Sequence, residues 1–512
     1  MKQYWTHHKF QFLISNGASL SVHELDALRD FSFSQEGSLQ YQLYQSIKDR
    51  ILDGRLVAGV RLPSSRSLSV SLGVSRNTIS GAFEQLKAEG YIQTRQGAGH
   101  YISSDLPDDF LNAQTNAAQR FNSTPAEMPM SDVGKSISQG DIRTYRNSSF
   151  EAGVPDLKAF PIKKWGQIYQ QQSQRLSLLG YDELQGSAYL REVLAKYLRS
   201  SRGLDCTNEQ IIITVGAQQA VNIAIQVILN QGDEVYLESP GYIGMREAFK
   251  AHHCKITGIP VTKDGLDIEA LPDQPQGKLL CVTPTHQYPL GGIMPLANRL
   301  GILKWAAENG VWILEDDYDS EYHYDHKPIA SMQGLGLKEQ VIYIGSFSKV
   351  LYPALRLGYM VVPQRLVTAC VKTKNRLAGQ TPSIEQETVA EFIAEGHFVR
   401  HLRKMRGIYH DKFKVILSAC QTHLKHIAEP EYTGAGMHIV LIFNPQLCQR
   451  GLSDIKAVEE MRKVNLYASA LSNYYVGQAE RQGLVLGFAN TELNQIDPHI
   501  RTLKDILLSL TA

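Results

Sequence analysis

The residue with the clearest chemical context in this chain is Lys349. It lies in Gly345-Ser-Phe-Ser-Lys349-Val-Leu-Tyr-Pro-Ala-Leu-Arg356, directly behind the apolar run Val341-Ile-Tyr-Ile. A lysine that forms a Schiff base with a carbonyl compound needs surroundings that lower its pKa. A phosphate-bearing partner also needs an anion anchor nearby. Ser346, Ser348 and Arg356 have the types and the spacing to supply that anchor. A lone lysine is ordinarily a solvated surface residue; the hydroxyl-rich turn behind a buried run sets this one apart.

Three further stretches ask for the same partner. Trp312-Ile-Leu-Glu runs into Asp316-Asp-Tyr318-Asp-Ser-Glu-Tyr. Pyridoxal 5'-phosphate chemistry needs a carboxylate at the pyridine nitrogen and gains from a donor to the 3'-oxygen. Asp316 and Tyr318 suit those two roles, while Asp317, Asp319 and Glu321 read as an acidic surface loop. Thr214-Val-Gly216-Ala217-Gln218 is a strand–turn–helix junction, where free N–H groups hold phosphate and glycine lets the backbone come close. Ser239-Pro-Gly-Tyr242 offers a ring to stack on the pyridine face. Arg246, just beyond it, reads equally as a handle for an acidic ligand and as a surface helix charge.

These residues need elements to position them. Ile211-Ile-Ile-Thr-Val, Glu234-Val-Tyr-Leu, Leu279-Leu-Cys-Val-Thr-Pro, Trp312-Ile-Leu-Glu and Val341-Ile-Tyr-Ile are short and almost wholly apolar. Such runs fit strands covered on both faces of an α/β sheet, with helices such as 218–229 and 296–307 between them. His252-His253-Cys254 is read as a partly exposed strand edge rather than a metal site, and no metal is expected.

The N-terminal part is patterned differently. Leu43, Ile47 and Ile51 stripe one helix; Ser65 is expected to cap a second, carrying Leu68 and Leu72. Gly73 makes a tight turn, and Ser75 caps a third helix with Ile79, Phe83 and Leu86 inward. Residues 91–95 and 100–102 read as strands around a glycine-rich turn, which completes a winged helix-turn-helix. Between Glu36 and Ile102 there are eight Lys or Arg against five Asp or Glu, a mild basic excess that suits DNA. Residues 105–149 are polar and read as a linker, and residues 1–34 as an extension of no clear type.

Composition sets bounds. A chain of 512 residues calls for more than one domain. The net charge of +1 gives no global basic field, so any DNA affinity must be local. No apolar run approaches a membrane span and no signal peptide is read. The six cysteines are scattered without a CxxC, which points to reduced, mostly buried thiols and a cytoplasmic protein.

Leu62-Pro-Ser-Ser-Arg-Ser-Leu, Leu72-Gly-Val-Ser-Arg-Asn-Thr-Ile and Glu89-Gly-Tyr-Ile with Gly97-x-Gly resemble the GntR family of bacterial regulators. That resemblance implies a DNA-binding domain over 35–104 with contacts from Arg66, Ser75, Arg76, Thr78 and Gly97. The stretches around Gly216, Tyr242, Asp316 and Lys349 together resemble fold-type I aminotransferases over 150–512, an α/β domain with a smaller C-terminal α+β subdomain. By that resemblance Lys349 is the Schiff-base lysine for pyridoxal 5'-phosphate, Asp316 the pyridine partner, Tyr318 the 3'-oxygen donor and Tyr242 the stacking ring. Ala217, Gln218, Ser346, Ser348 and Arg356 surround the phosphate. Tyr181 reaches the neighbouring subunit's phosphate, which implies a homodimer.

The fusion of the two parts resembles the MocR (GabR-like) subfamily, in which the dimer is typically head-to-tail. Two departures from working aminotransferases stand out. The Asn before Pro is Tyr288, and the Arg that binds a substrate α-carboxylate is Val485, in Gly483-Leu-Val-Leu-Gly-Phe-Ala. The expectation is a transcriptional regulator that binds a double-stranded DNA operator and senses pyridoxal 5'-phosphate or a small amine or amino acid. It is not expected to be a physiological enzyme, though a residual half-reaction is compatible. The alternative is a functional aminotransferase with an appended DNA-binding domain.

Overall fold

The structure, a computed structural model, describes residues 37–95, 97–106, 129–138, 148–324, 330–336 and 338–511. The predicted extension 1–34 and most of the predicted linker lie outside them. Within the linker stretch, Asp132–Ser138 is helical. The chain divides into two units, Met1–Pro129 and Met130–Ala512.

In the first unit the apolar stripes decide the helices. Leu43 and Ile47 are fully buried on α1 (Leu39–Leu52), and Ile79, Phe83 and Leu86 on α3 (Arg76–Ala88) close the same core. Between them lies α2 (Ser65–Leu72), which ends at Gly73 in the left-handed conformation, φ 66°. Its cap is Ser64, not Ser65: Ser64 keeps extended angles and its Oγ accepts from Ser67 N at 3.1 Å, so Ser65 is already helical. Strands β1 (Ile92–Arg95) and β2 (Gly99–Ile102) pair antiparallel, Ile92 opposite Ile102 and Arg95 opposite Gly99.

The second unit is built on an eight-stranded sheet. Its strands are β3 (Ile211–Thr214), β4 (Glu234–Ser239), β5 (Lys255–Thr262), β6 (Gly265–Leu266), β7 (Leu279–Val282), β8 (Trp312–Asp317), β9 (Val341–Ser346) and β10 (Gly358–Val361). They lie in the order β3-β10-β9-β8-β7-β4-β5-β6. Strand β10 runs antiparallel to both neighbours, so β3 points the same way as β9, and β4, β5, β7 and β8 are parallel to it. All five predicted strands are present, buried as their continuous apolar runs require. Helices α4 (Ala217–Ile228), α5 (Ile243–Ala251) and α6 (Leu296–Asn309) lie between strands in sequence. A second, four-stranded antiparallel sheet follows: β11 (Ala428–Glu431), β12 (His438–Phe443), β13 (Ser469–Ala470) and β14 (Gly483–Gly487), ordered β11-β12-β14-β13.

His252, His253 and Cys254 do not form a strand edge. Positive φ at His253 (60°) ends α5, and β5 starts only at Lys255. The six cysteines are unpaired, four of them buried. Among the described residues no helix is long and apolar enough to cross a membrane.

Candidate functional site

In a parallel sheet the carboxyl ends of the strands open together, and ligands settle there. The turns after β3, β4, β7, β8 and β9 carry the residues in question.

Beyond β9 the chain turns tightly, with Ser348 N donating to Ser346 Oγ at 3.1 Å. Lys349 follows, half-buried, and its Nζ donates to the Gly153 carbonyl at 2.7 Å. Gly153 has φ 79°, and a Cβ there would stand 2.4 Å from Nζ. The left-handed angle favours glycine, and a side chain here would also push the lysine's flexible end aside. Tyr322 OH holds the lysine's own carbonyl at 3.3 Å.

The predicted phosphate residues come from adjoining strands. Gly358 of β10 pairs with Thr214 on one side and Ser346 on the other, which sets the Gly216 and Ser346 turns on either side of it. Gly216 (φ 80°) precedes α4 with no side-chain cap, so the helix start keeps N–H groups for a ligand. Arg356, at φ 51°, reaches back to this turn: its Nη2 donates to the Val215 carbonyl at 3.2 Å. A Cβ on Gly216 would lie 3.4 Å from that guanidinium. The Gln218 side chain is committed to the Gly244 carbonyl at 2.9 Å, so this residue offers its backbone. Arg356 is thus held against the Gly216 turn, with Ser346 and Ser348 on the far side of β10.

Asp316, next to last in β8, is buried. Burial foremost, then Asp317 and Glu238, pushes its carboxyl up to about 7, while Lys349 opposes the rise. Glu238 is likewise pushed up to about 7 by burial, and holds Thr283 Oγ1 at 2.5 Å and Gln287 Nε2 at 3.2 Å.

The reading of Asp317, Asp319 and Glu321 as a surface loop is overturned, for all three are buried. Asp317 accepts from Tyr343 OH at 2.5 Å and pairs with Arg202 at 3.2 Å; Glu321 pairs with the same arginine at 2.7 Å. Asp319 faces His286 at 3.0 Å. Tyr318 OH lies 2.8 Å from His286 Nδ1, and burial drives its phenol pKa well above the usual 10.0.

The remaining predicted residues are placed as follows. Tyr242 is half-exposed and meets Tyr288 edge-on, ring centroids 6.0 Å apart. Tyr288 also touches Tyr318, His438 and Tyr474 at 5.3, 5.2 and 5.5 Å. Val485, fully buried, lies opposite Val440 in an apolar cluster with Ala152, Leu290, Leu471, Tyr474 and Tyr475. Arg246 donates to the Tyr475 carbonyl at 2.6 Å and lines a groove of about 560 Å³ with Lys250, Asn473 and Gly477. Tyr181 is fully exposed, near exposed Leu176 and Leu179. Gly153, His286 and His438 escape the sequence reading, which takes Asp319 for surface. A glycine before Val-Pro near the domain start, and a histidine two residues before Tyr288, were the available signals.

In the first unit Arg66, Arg76 and Gly97 are exposed, Gly97 in the hairpin turn with φ 75°. Ser75 Oγ accepts from Thr78 N at 3.1 Å and lies 2.9 Å from Thr78 Oγ1, so this pair caps α3 at the end where Arg76 projects.

Two family models match. Residues 39–102 match the bacterial regulatory proteins of the gntR family, and residues 149–496 match aminotransferase class I and II. The probable rhizopine catabolism regulatory protein MocR of Rhizobium meliloti is 34% identical, covering 92% of this chain and 94% of its own. The pyridoxine biosynthesis transcriptional regulator PdxR of Corynebacterium glutamicum is 29% identical over 88% of this chain and 92% of its own. Among solved structures, the α-aminoadipate aminotransferase LysN of Thermus thermophilus, complexed with N-(5'-phosphopyridoxyl)-L-leucine, superposes with a TM-score of 0.65 at 25% identity, over 78% of this chain and 98% of that one. The kynurenine aminotransferase of Pyrococcus horikoshii gives 0.66 at 25% identity, over 77% and 99%. With both models in this order and relatives aligned along nearly its whole length, the chain belongs to the MocR-like GntR-family transcriptional regulators, a winged helix-turn-helix joined to an aminotransferase class I and II domain.

Proposed function

We propose that this regulator holds pyridoxal 5'-phosphate on Lys349 and changes its binding to an operator according to what occupies that site. The convergence of Lys349, buried Asp316 and the uncapped Gly216 turn with Arg356 carries the reading. When bound, the cofactor supplies a carbonyl that combines reversibly with amines and a ring that withdraws electrons. Asp316 would face the ring nitrogen, whose positive charge answers the raised carboxyl. Tyr318 would face the 3'-oxygen and Tyr242 would cover the ring. The backbone of Ala217 and Gln218, with Ser346, Ser348 and Arg356, would hold the phosphate, and exposed Tyr181 would reach the site of a second copy in a cytoplasmic head-to-tail homodimer.

The signal is pyridoxal 5'-phosphate itself or a small amine or amino acid, with Arg246 as the handle for any acidic group once it leaves the Tyr475 carbonyl. A ligand shifts a regulator only by binding its two arrangements unequally. Apolar packing around Val485, where an enzyme places an arginine, favours a sensor over an aminotransferase. The working-enzyme alternative draws on the intact set Lys349, Asp316, Tyr318 and Arg356. Borohydride reduction of the loaded protein, followed by peptide mapping, tests the cofactor reading: an adduct on Lys349 supports it, and an adduct elsewhere or none at saturation refutes it.

A further inference from the structure

Two contacts of one nitrogen determine how the Tyr318 proton can point. His286 Nδ1 lies 2.8 Å from Tyr318 Oη, and 3.0 and 3.2 Å from the two carboxylate oxygens of Asp319. An ionised carboxylate has no proton to give, so a ring nitrogen that faces both of its oxygens carries the hydrogen itself. That single N–H is shared between Asp319 and Tyr318 Oη as a three-centre bond. Tyr318 oxygen is then the acceptor, and the phenol's own proton is left for another partner.

The surroundings hold this arrangement. His286 and Asp319 are only 4% and 1% exposed. The His286 and Tyr318 rings stack at 5.8 Å and 28°, and Tyr288 meets Tyr318 edge-on. Gly436 presses on the pair, since a Cβ there would stand 2.0 Å from His286 Cε1 and 2.8 Å from Asp319 Oδ2. Its loop is tied by Gly436 N to the Tyr322 carbonyl at 2.7 Å and by Tyr324 OH to the Gly436 carbonyl at 2.6 Å. The His438 ring, 5.1 Å from His286, is fixed by Nε2 on the Pro289 carbonyl at 2.8 Å. The titratable groups acting on Tyr318 are Asp319, Tyr288, Asp316 and Glu238, besides His286 itself.

We propose that Asp319 and His286 are positioning residues that fix the direction of the Tyr318 O–H and aim its proton at the 3'-oxygen of bound pyridoxal 5'-phosphate. This rests on the reading of Tyr318 given above. A donor at the 3'-oxygen weakens that oxygen's hold on a proton shared with the lysine nitrogen, so the cofactor's visible band should change form at a lower pH. With Asp319→Asn the amide can donate to Nδ1, the ring shifts its proton to Nε2, and Nδ1 draws in the Tyr318 proton instead.

The first test uses cofactor-free full-length protein labelled with ¹⁵N-histidine. The His286 signals are assigned by their loss in His286→Gln. Nδ1 should show the protonated shift in the native protein and the unprotonated one in Asp319→Asn. The second test titrates the visible band of the loaded proteins. Asp319→Asn should raise the midpoint by about one pH unit, Tyr318→Phe should do the same, and the double variant should move no further. An unprotonated Nδ1 in the native protein, or additive shifts in the double variant, would overturn the proposal. So would one equivalent of zinc that survives dialysis and is lost in His438→Ala, because His286, Asp319 and His438 would then be metal ligands. If saturated native protein shows no visible band, the cofactor reading fails and the 3'-oxygen part of the proposal with it; the tautomer, measured without cofactor, still decides whether Asp319 and His286 direct the Tyr318 O–H.

Discussion

Lys349 Nζ donates to the carbonyl of Gly153, 196 residues earlier in the chain, at 2.7 Å. That glycine belongs to a loop pinned to the C-terminal sheet, where Gly487 N donates to the Phe150 carbonyl at 2.9 Å. The lysine is thus aimed by a backbone that spans both sheets of the unit. Gly153→Ala should displace it, because the new methyl would stand 2.4 Å from Nζ at φ 79°. We expect the variant to fold, with a cost of about 1–2 kcal/mol for the strained angle. Its cofactor affinity should fall at least about tenfold, as read by visible absorbance against added pyridoxal 5'-phosphate. Native affinity would show that the contact does not position the lysine.

The buried acids give the cofactor-free protein a pH dependence. Asp316 is raised from 3.8 to about 7 by burial, and Glu238 and Glu315 from 4.5 to about 7 for the same leading reason. An acid raised in the folded state keeps a proton that the unfolded chain has already lost. Its stabilisation is complete below the unfolded value and is lost as pH rises through the folded value. The cofactor-free protein should therefore melt at lower temperature at pH 8 than at pH 5. Asp316→Asn should flatten the difference by an amount on the order of a few kcal/mol, while weakening the hold on the cofactor. Parallel melting curves for variant and native protein would contradict the assignment.

Arg76 is exposed at the start of α3, beside the Ser75–Thr78 cap. Arg76→Ala should weaken operator binding by roughly 1–3 kcal/mol if the side chain reads a base. If it meets phosphate only, binding should weaken alike on every sequence and the salt slope should flatten. Unchanged operator binding in a salt series would contradict both versions.

Transamination of common α-amino acids should be slow or absent. Val485 is sealed in an apolar cluster, and Tyr288 occupies the place before the proline among four other aromatic rings. Each charge-assisted bond a substrate lacks is worth about 1.5–3 kcal/mol, or one to two decades in binding. Single-turnover spectroscopy on a panel of amino acids reads this directly, and fast conversion would favour the enzyme.

Much of the site was legible because its signals are local. Gly216, Asp316, Lys349 and Arg356 each sit in a motif beside an apolar strand, and all five predicted strands are present. What was misread depends on distant chain. Asp319 looked like part of a surface loop because nothing nearby in sequence covers it; Gly436 and His438 do so from more than 100 residues away. Strand β10 was missed although it is as short and as buried as β3 and β7; it opens on Gly358, two residues after a left-handed Arg356, where a turn is the natural reading. The cap of α2 was displaced by one residue, as two adjacent serines offer the same chemistry and only backbone angles choose between them.

The central claim is that occupancy of Lys349 governs DNA binding. Its most direct test measures operator affinity of the full-length protein with and without pyridoxal 5'-phosphate and candidate amines, alongside Lys349→Ala. The account predicts a ligand-dependent change of roughly 5–150-fold in the native protein, abolished in Lys349→Ala, which should still bind the operator through its intact winged helix. Multiple-turnover transamination, with operator affinity unmoved by any ligand, would contradict it.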